Sequence, residues 1–338
     1  MSLALLASLA TTAVAHVPEG YEKLPVNPLL GVPGFPDCEI DGELAQQGVA
    51  PEFALKCAQK QKDSGAQIAV GCIGDSITAG VHSTGGNHTY PGQLQIMLGD
   101  GYKVTNLGAC GSTMLKVSNS PYWKRPQYKA LTAGKWDIII IMLGTNDAKD
   151  PGDHGPNNWL HNCGGPDHTT VEGCTFAEDY GSMIKLVKTL GTTPAGPKIY
   201  VAIPPPLMQL DSIGANQTVI NSVYPKLVPL IAKANGVTTA PIDIFSGMGG
   251  SPDWATKFPK SCTLDTAKTF KPCAWWCDKQ SCDQCHPNND GCECLSRAFN
   301  CCCVQCKRWA SRPKRVPAVS LSLTDTQMAT LMKQGLGL

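Results

Sequence analysis

From residue 67 onward, five short apolar runs alternate with segments able to hold helices, and no other feature of the chain restricts its fold as much. The strand candidates are Gln67 to Ile73, Lys103 to Leu107, Asp137 to Leu143, Lys198 to Ile203 and Val237 to Ile242. Between them lie helix candidates at Pro91 to Leu98, Gln127 to Ala133, Phe176 to Leu190 and Thr218 to Ala234. A run such as Ile68-Ala-Val-Gly-Cys-Ile73 lacks the alternation that would give it a wet face, so it must be covered on both sides. The expected fold is therefore α/β, with a parallel sheet and helices on both of its faces. Pro204-Pro-Pro206 ends the fourth strand, because proline cannot donate to a ladder.

In such sheets ligands sit beyond the carboxyl ends of the strands. There the first run breaks off into Gly74-Asp75-Ser76-Ile-Thr78, which delivers a serine to a loop. Taken alone, Gly-Asp-Ser is equally ordinary strand-to-helix turn chemistry. Three further landmarks decide between the readings. Asn106-Leu-Gly-Ala-Cys-Gly111-Ser-Thr113 follows the second strand, Gly144-Thr-Asn146-Asp147 follows the third, and Asp283-Gln-Cys-His286-Pro287 comes late in the chain. Ester hydrolysis near neutral pH needs a nucleophile, a base, a group to orient the base, and donors for the developing oxyanion. Ser76 is the candidate nucleophile, His286 the base, and Asp283 the group that holds the imidazole tautomer. The backbone N–H groups of Ser76 and Gly111 and the side-chain amide of Asn146 are the candidate oxyanion hole. Each also has a plain structural reading: His286 as a buried histidine, Asp283 as a helix cap, Gly111 as a turn residue, Asn146 as a loop anchor. Asp75 and Asp147 read as scaffold carboxylates that bond backbone N–H groups.

These four blocks, in this order, resemble the conserved blocks of the SGNH (GDSL) hydrolases over roughly residues 67 to 291. The resemblance implies a three-layer α/β/α flavodoxin-like domain that hydrolyses esters or thioesters of lipids and carbohydrates, with the roles just given to Ser76, Gly111, Asn146, Asp283 and His286. The Gly-Asp-Ser-Ile-Thr-Ala-Gly start and Tyr90-Pro91 look most like members that remove acetyl groups from carbohydrates. The resulting expectation is a serine esterase, a carbohydrate O-acetylesterase, needing no metal and no organic cofactor. A lipase or thioesterase of the same fold is the rival within enzymes. A cysteine-rich extracellular binding protein without turnover is the rival outside them. The Gly-x-Ser-x-Gly elbow of α/β-hydrolases is absent from the sequence.

The rest of the chain suggests where such a protein works. Residues 1–15 are apolar and end Ala13-Val14-Ala15, the pattern of a secretory signal peptide, although they carry no Lys or Arg. Residues 16–66 read as an N-terminal extension, 67–310 as the hydrolase domain with its Cys-rich part at 262–306, and 311–338 as a basic linker and tail. With 28 basic and 27 acidic residues the formal charge is +1, so no global field attracts nucleic acid. A small-molecule or carbohydrate ester fits better. After the signal, no apolar run has the length of a bilayer span, and nothing in the sequence sets an oligomeric state. Asn87-His-Thr89 and Asn216-Gln-Thr218 are glycosylation sequons.

Seventeen cysteines suit an oxidising compartment, and eleven lie between Cys262 and Cys306. The spacing of Cys273, Cys277, Cys282 and Cys285 also fits a zinc site, but in a secreted chain disulfides are the better account. Cys72 and Cys110 read as small buried residues, and of Trp275 and Trp276 one is expected in the core and one at the rim of the site. Disulfides here would pin the loop that carries Asp283 and His286. Reduction should therefore lower activity before the α/β core unfolds; activity that survives full reduction would contradict this.

Overall fold

The computed structural model describes residues 67–149, 159–208, 214–283 and 285–300. The expected signal peptide, N-terminal extension and tail lie outside these residues. The core is a five-stranded sheet in the order β2-β1-β3-β4-β5, with every pair parallel. Its strands are β1 (Ile68–Gly74), β2 (Tyr102–Gly108), β3 (Ile138–Met142), β4 (Lys198–Ile203) and β5 (Ile242–Asp243). Its principal helices are α1 (Ser76–Ala79), α2 (Tyr90–Leu98), α3 (Pro126–Ala133), α4 (Thr175–Val187), α5 (Tyr224–Ala234) and α6 (Asn289–Asn300). Among the described residues no helix is long and apolar enough to cross a membrane.

The strand order fixes the layers. The chain steps from β1 outward to β2, returns past β1 to β3, and then proceeds the other way. Right-handed crossovers put the helix after β1 on one face and those after β2, β3 and β4 on the other. The packing follows suit: α6 lies against α2, and α4 against α5. Tyr90 of α2 meets Phe299 of α6 with ring centroids 4.8 Å apart. On the opposite side Trp159 and Phe176 pack around Tyr224, each 5.4 Å from it. Central β3 is buried throughout, and its isoleucines Ile138 to Ile141 are at most 1% exposed. Each contributes about 1.5–3 kcal/mol of burial free energy. Edge strand β2 instead turns Lys103 and Asn106 to solvent.

Strand β5 is much shorter than the expected Val237 to Ile242, since only Ala202↔Ile242 and Ile203↔Asp243 pair. The residues before it satisfy their polar groups otherwise. Val237 N–H turns back to Ala232 O at 3.0 Å, Thr239 Oγ1 donates to Ile199 O at 2.5 Å, and Pro241 has no N–H to offer.

Gly74, Gly108 and Met142 end their strands side by side in the ladder. The chain beyond them is packed so closely that a Cβ on Gly108 would lie 2.2 Å from Ala79 N and 2.6 Å from Thr78 C. These are backbone atoms, so relief requires moving α1 itself. Gly108→Ala should cost about 1–3 kcal/mol in denaturant unfolding, with the displacement carried to Ser76, which rides on α1.

Candidate active site

Ser76 is the first residue of a single helical turn whose two ends are both capped. Asp75 Oδ1 accepts Ile77 N–H at 2.9 Å, and Gly80, in the left-handed region at φ +94, returns its N–H to Ser76 O at 3.0 Å. The serine is 9% exposed, sitting at the floor of the carboxyl edge of the sheet. Its Oγ lies 2.8 Å from His286 Nε2, across 210 residues of sequence. His286 Nδ1 lies 2.9 Å from Asp283 Oδ2. With the proton on Nδ1 donated to the carboxylate, Nε2 is left to accept the serine hydroxyl.

Asp283 also shapes the turn it belongs to. Its Oδ1 accepts the N–H groups of Cys285 and His286, each at 2.7 Å, so one carboxylate fixes both the backbone and the ring of the histidine. The turn is tied in three directions. Asp283 N–H donates to Trp276 O at 2.8 Å beside the Cys277–Cys282 disulfide, which closes a short hairpin just before it. Asn288 donates through Nδ2 to Ala274 O and Cys277 O. Asn289 reaches across to the loop after α1, where its Oδ1 accepts Thr84 N–H at 2.8 Å and its Nδ2 donates to Thr84 Oγ1 at 3.1 Å. The serine side and the histidine side of the site are thereby latched together. Asn288 and Asn289 were not singled out from the sequence, where their position just after His286-Pro287 was the available signal.

Gly111 and Asn146 come from the loops after β2 and β3. Gly111 has φ +72, which only glycine adopts without strain. Asn146, 5% exposed, donates from Nδ2 to Ser112 O at 3.1 Å, so the two loops touch where both candidate donors sit. The β2 loop is held from beneath by carboxylates. Met114 and Leu115 N–H go to Asp147 at 3.0 and 2.8 Å, and Lys116 N–H goes to Asp179 at 2.8 Å. The β3 loop is held by Tyr224, whose hydroxyl donates to Gly144 O at 2.6 Å.

Other expectations require correction. Trp275 and Trp276 are both core residues, at 7% and 0% exposure, because the hairpin folds them under the Asp283 turn. Cys110 is exposed, since its loop lifts away from the sheet, while Cys72 is buried inside β1. The expectation of disulfides over zinc holds among the described residues: Cys273 pairs with Cys262, Cys277 pairs with Cys282, and Cys285 is a buried thiol. Cys163–Cys174 closes part of the long segment before α4.

The profile of the GDSL-like lipase/acylhydrolase family matches residues 72–294. An acetylxylan esterase from Xylanibacter ruminicola is 34% identical over 185 residues, which is 50% of this chain and 35% of that protein. The chain thus spans about a third of the length of this relative. Among solved structures, a carbohydrate acetylesterase family member from Sinorhizobium meliloti is 20% identical, with a TM-score of 0.42 over 69% of this chain and 96% of its own. The native aryl esterase of M. smegmatis has the same identity, TM-score and coverage.

Electrostatically the carboxylates divide into two kinds. Asp283 loses some hydration, but the His286 ring and the two N–H groups on Oδ1 outweigh that loss and bring it down to about 2. Burial raises Asp75 to about 6, against the opposing pull of Ile77 N–H and the nearby His286, and raises Asp147 to about 7 despite its two N–H donors. The signs of the linkage are opposite. Asp283 contributes stability above the ordinary carboxyl range near 3.8, and that contribution is lost as pH falls toward 2. A raised carboxyl such as Asp147 does the reverse, costing stability as pH climbs from about 4 to about 7. An Asp147→Asn variant does not titrate there. Its stability deficit against the wild type, measured by urea unfolding, should narrow as pH rises from 4 to 7; a widening gap would contradict the assignment.

Proposed function

The chain belongs to the GDSL-like lipase/acylhydrolase family, and from that membership we propose that it is a secreted serine esterase acting on acetylated carbohydrate. The observation that carries this reading is the continuous relay from Ser76 Oγ to His286 Nε2 at 2.8 Å and from His286 Nδ1 to Asp283 at 2.9 Å. In this mechanism Ser76 Oγ attacks the ester carbonyl as His286 Nε2 takes its proton. Asp283 holds the tautomer and stabilises the imidazolium. The oxyanion is met by Ser76 N–H, Gly111 N–H and Asn146 Nδ2, three uncharged donors. His286 then returns the proton to the departing alcohol, leaving an acyl-serine. Water, deprotonated by the same imidazole, releases the carboxylic acid and restores Ser76.

The acetyl preference draws support from the likeness to an acetylxylan esterase. Secretion draws support from the cysteine content and from the disulfides Cys163–Cys174, Cys262–Cys273 and Cys277–Cys282, which persist where the surroundings are oxidising. Glycosylation is consistent with this, as Asn87 of the first sequon is exposed.

The test is hydrolysis of a p-nitrophenyl ester series by the oxidised protein, beside Ser76→Ala and with a fluorophosphonate probe. Acetate should be the best substrate, and the substitution should lower kcat by roughly 10³-fold or more and abolish labelling. Rates that rise with acyl length would indicate a lipase or thioesterase. A wild type that neither turns over nor labels would indicate a binding protein.

A further inference from the structure

Arg125 stands directly behind the turn that carries Gly111. Its Nη2 donates to Cys110 O at 3.0 Å and also to Ser120 Oγ, and its Nε donates to Ser112 Oγ at 3.2 Å. The guanidinium therefore grips the residue before Gly111 and the residue after it. It is close to the glycine as well, since a Cβ built on Gly111 would lie 3.9 Å from Arg125 Nη2. Among the described residues no carboxylate pairs with this arginine. It also occupies the N-cap of α3, where a cation opposes the helix dipole and where its side chain makes no capping bond. Neither an ion pair nor helix capping accounts for a half-buried cation at this position.

The contact with Cys110 O does account for it. That oxygen and the Gly111 N–H are the two ends of one planar, resonance-stabilised peptide group. A charge-assisted hydrogen bond to the oxygen draws electron density along the amide and makes the N–H at the other end a stronger donor. The bond to Ser112 Oγ fixes the direction in which that N–H points. Ser112 O in turn receives Asn146 Nδ2, so one side chain orients the turn that both candidate donors share.

We propose that Arg125 is a positioning residue for the oxyanion hole, polarising the Cys110–Gly111 peptide and aligning its N–H on the developing charge. The inference rests on the esterase reading above. It concerns a residue that contacts the peptide and not the substrate, so its effect belongs to the transition state and to kcat rather than to substrate affinity.

The experiment compares wild type, Arg125→Gln and Arg125→Lys by kcat and KM on p-nitrophenyl acetate and by the rate of Ser76 phosphonylation. The amide proton shift of Gly111 is followed by NMR in the same proteins. Removing a whole oxyanion donor costs about 10²–10³ in kcat. Weakening one should cost less: Arg125→Gln is expected to lower kcat and phosphonylation roughly 10- to 100-fold with KM within about twofold, and to move the Gly111 amide proton upfield. Arg125→Lys keeps the charge but cannot span Cys110 O and Ser112 Oγ together, so it should fall between the two. If Arg125→Gln does not fold, the lysine variant decides, with a kcat equal to wild type overturning the proposal. A folded Arg125→Gln with lowered melting temperature but unchanged kcat and Gly111 shift would mean a purely structural role and would overturn it too. A wild type inert toward both ester and probe would instead remove the esterase reading, and this inference with it, whereas the outcomes just described leave that reading standing.

Discussion

Gly74 pairs with Gly108 on one side and Met142 on the other, and this single rung of the ladder organises everything at the edge of the sheet. Three parallel strands ending in register must release three loops along one line. Ser76, Gly111 and Asn146 lie two, three and four residues beyond those ends. So short a tether leaves little room for wander. The glycines make the register usable, because side chains at 74 or 108 would collide with Thr78 or with the backbone of α1. A site built in this way inherits its precision from backbone hydrogen bonds rather than from the fit of long side chains.

Carboxylates supply the remaining rigidity. Asp75, Asp147, Asp179 and Asp283 each accept backbone N–H groups of a loop that would otherwise have no ladder partner. The same device has different electrostatic consequences by depth. Under the sheet edge, desolvation dominates for Asp75 and Asp147. Asp283 sits nearer the surface against an imidazole, and there the hydrogen bonds prevail. The one acid proposed to assist chemistry is thus the one kept firmly ionised, while the buried two act as internal fasteners.

Much of this was legible in the sequence, for identifiable reasons. Strands β1, β3 and β4 are doubly covered and so are written as unbroken apolar runs, and the serine, glycine, asparagine and histidine blocks sit at strand ends or beside one turn-forming acid. Strand β5 was overestimated because Val237-Thr-Thr-Ala240 has strand propensity, while the preference of Thr239 for a side-chain bond to Ile199 O is tertiary information. One of Trp275 and Trp276 was expected at the rim and both are core, because their depth depends on where a hairpin folds, which no local pattern encodes. The contact of Arg125 with Cys110 was invisible for the same reason, and although Asn289 follows directly on His286-Pro287, its partner Thr84 is near only once the chain has closed.

The 210 residues between Ser76 and His286 make the site depend on a segment far along the chain from the nucleophile's strand. The sheet is drawn from residues 68–243, but the last wall of the site is supplied by the hairpin at Cys277–Cys282 and by α6. Until that segment docks on α2, the serine has no partner and its loop has no Asn289 to latch onto. Long-range closure of this kind is slow relative to local structure. The pairing of Ser76 with His286 thus depends on the docking of one disulfide-bearing segment, so that whatever loosens the Cys277–Cys282 hairpin or the packing of α6 on α2 reaches the site without touching the sheet.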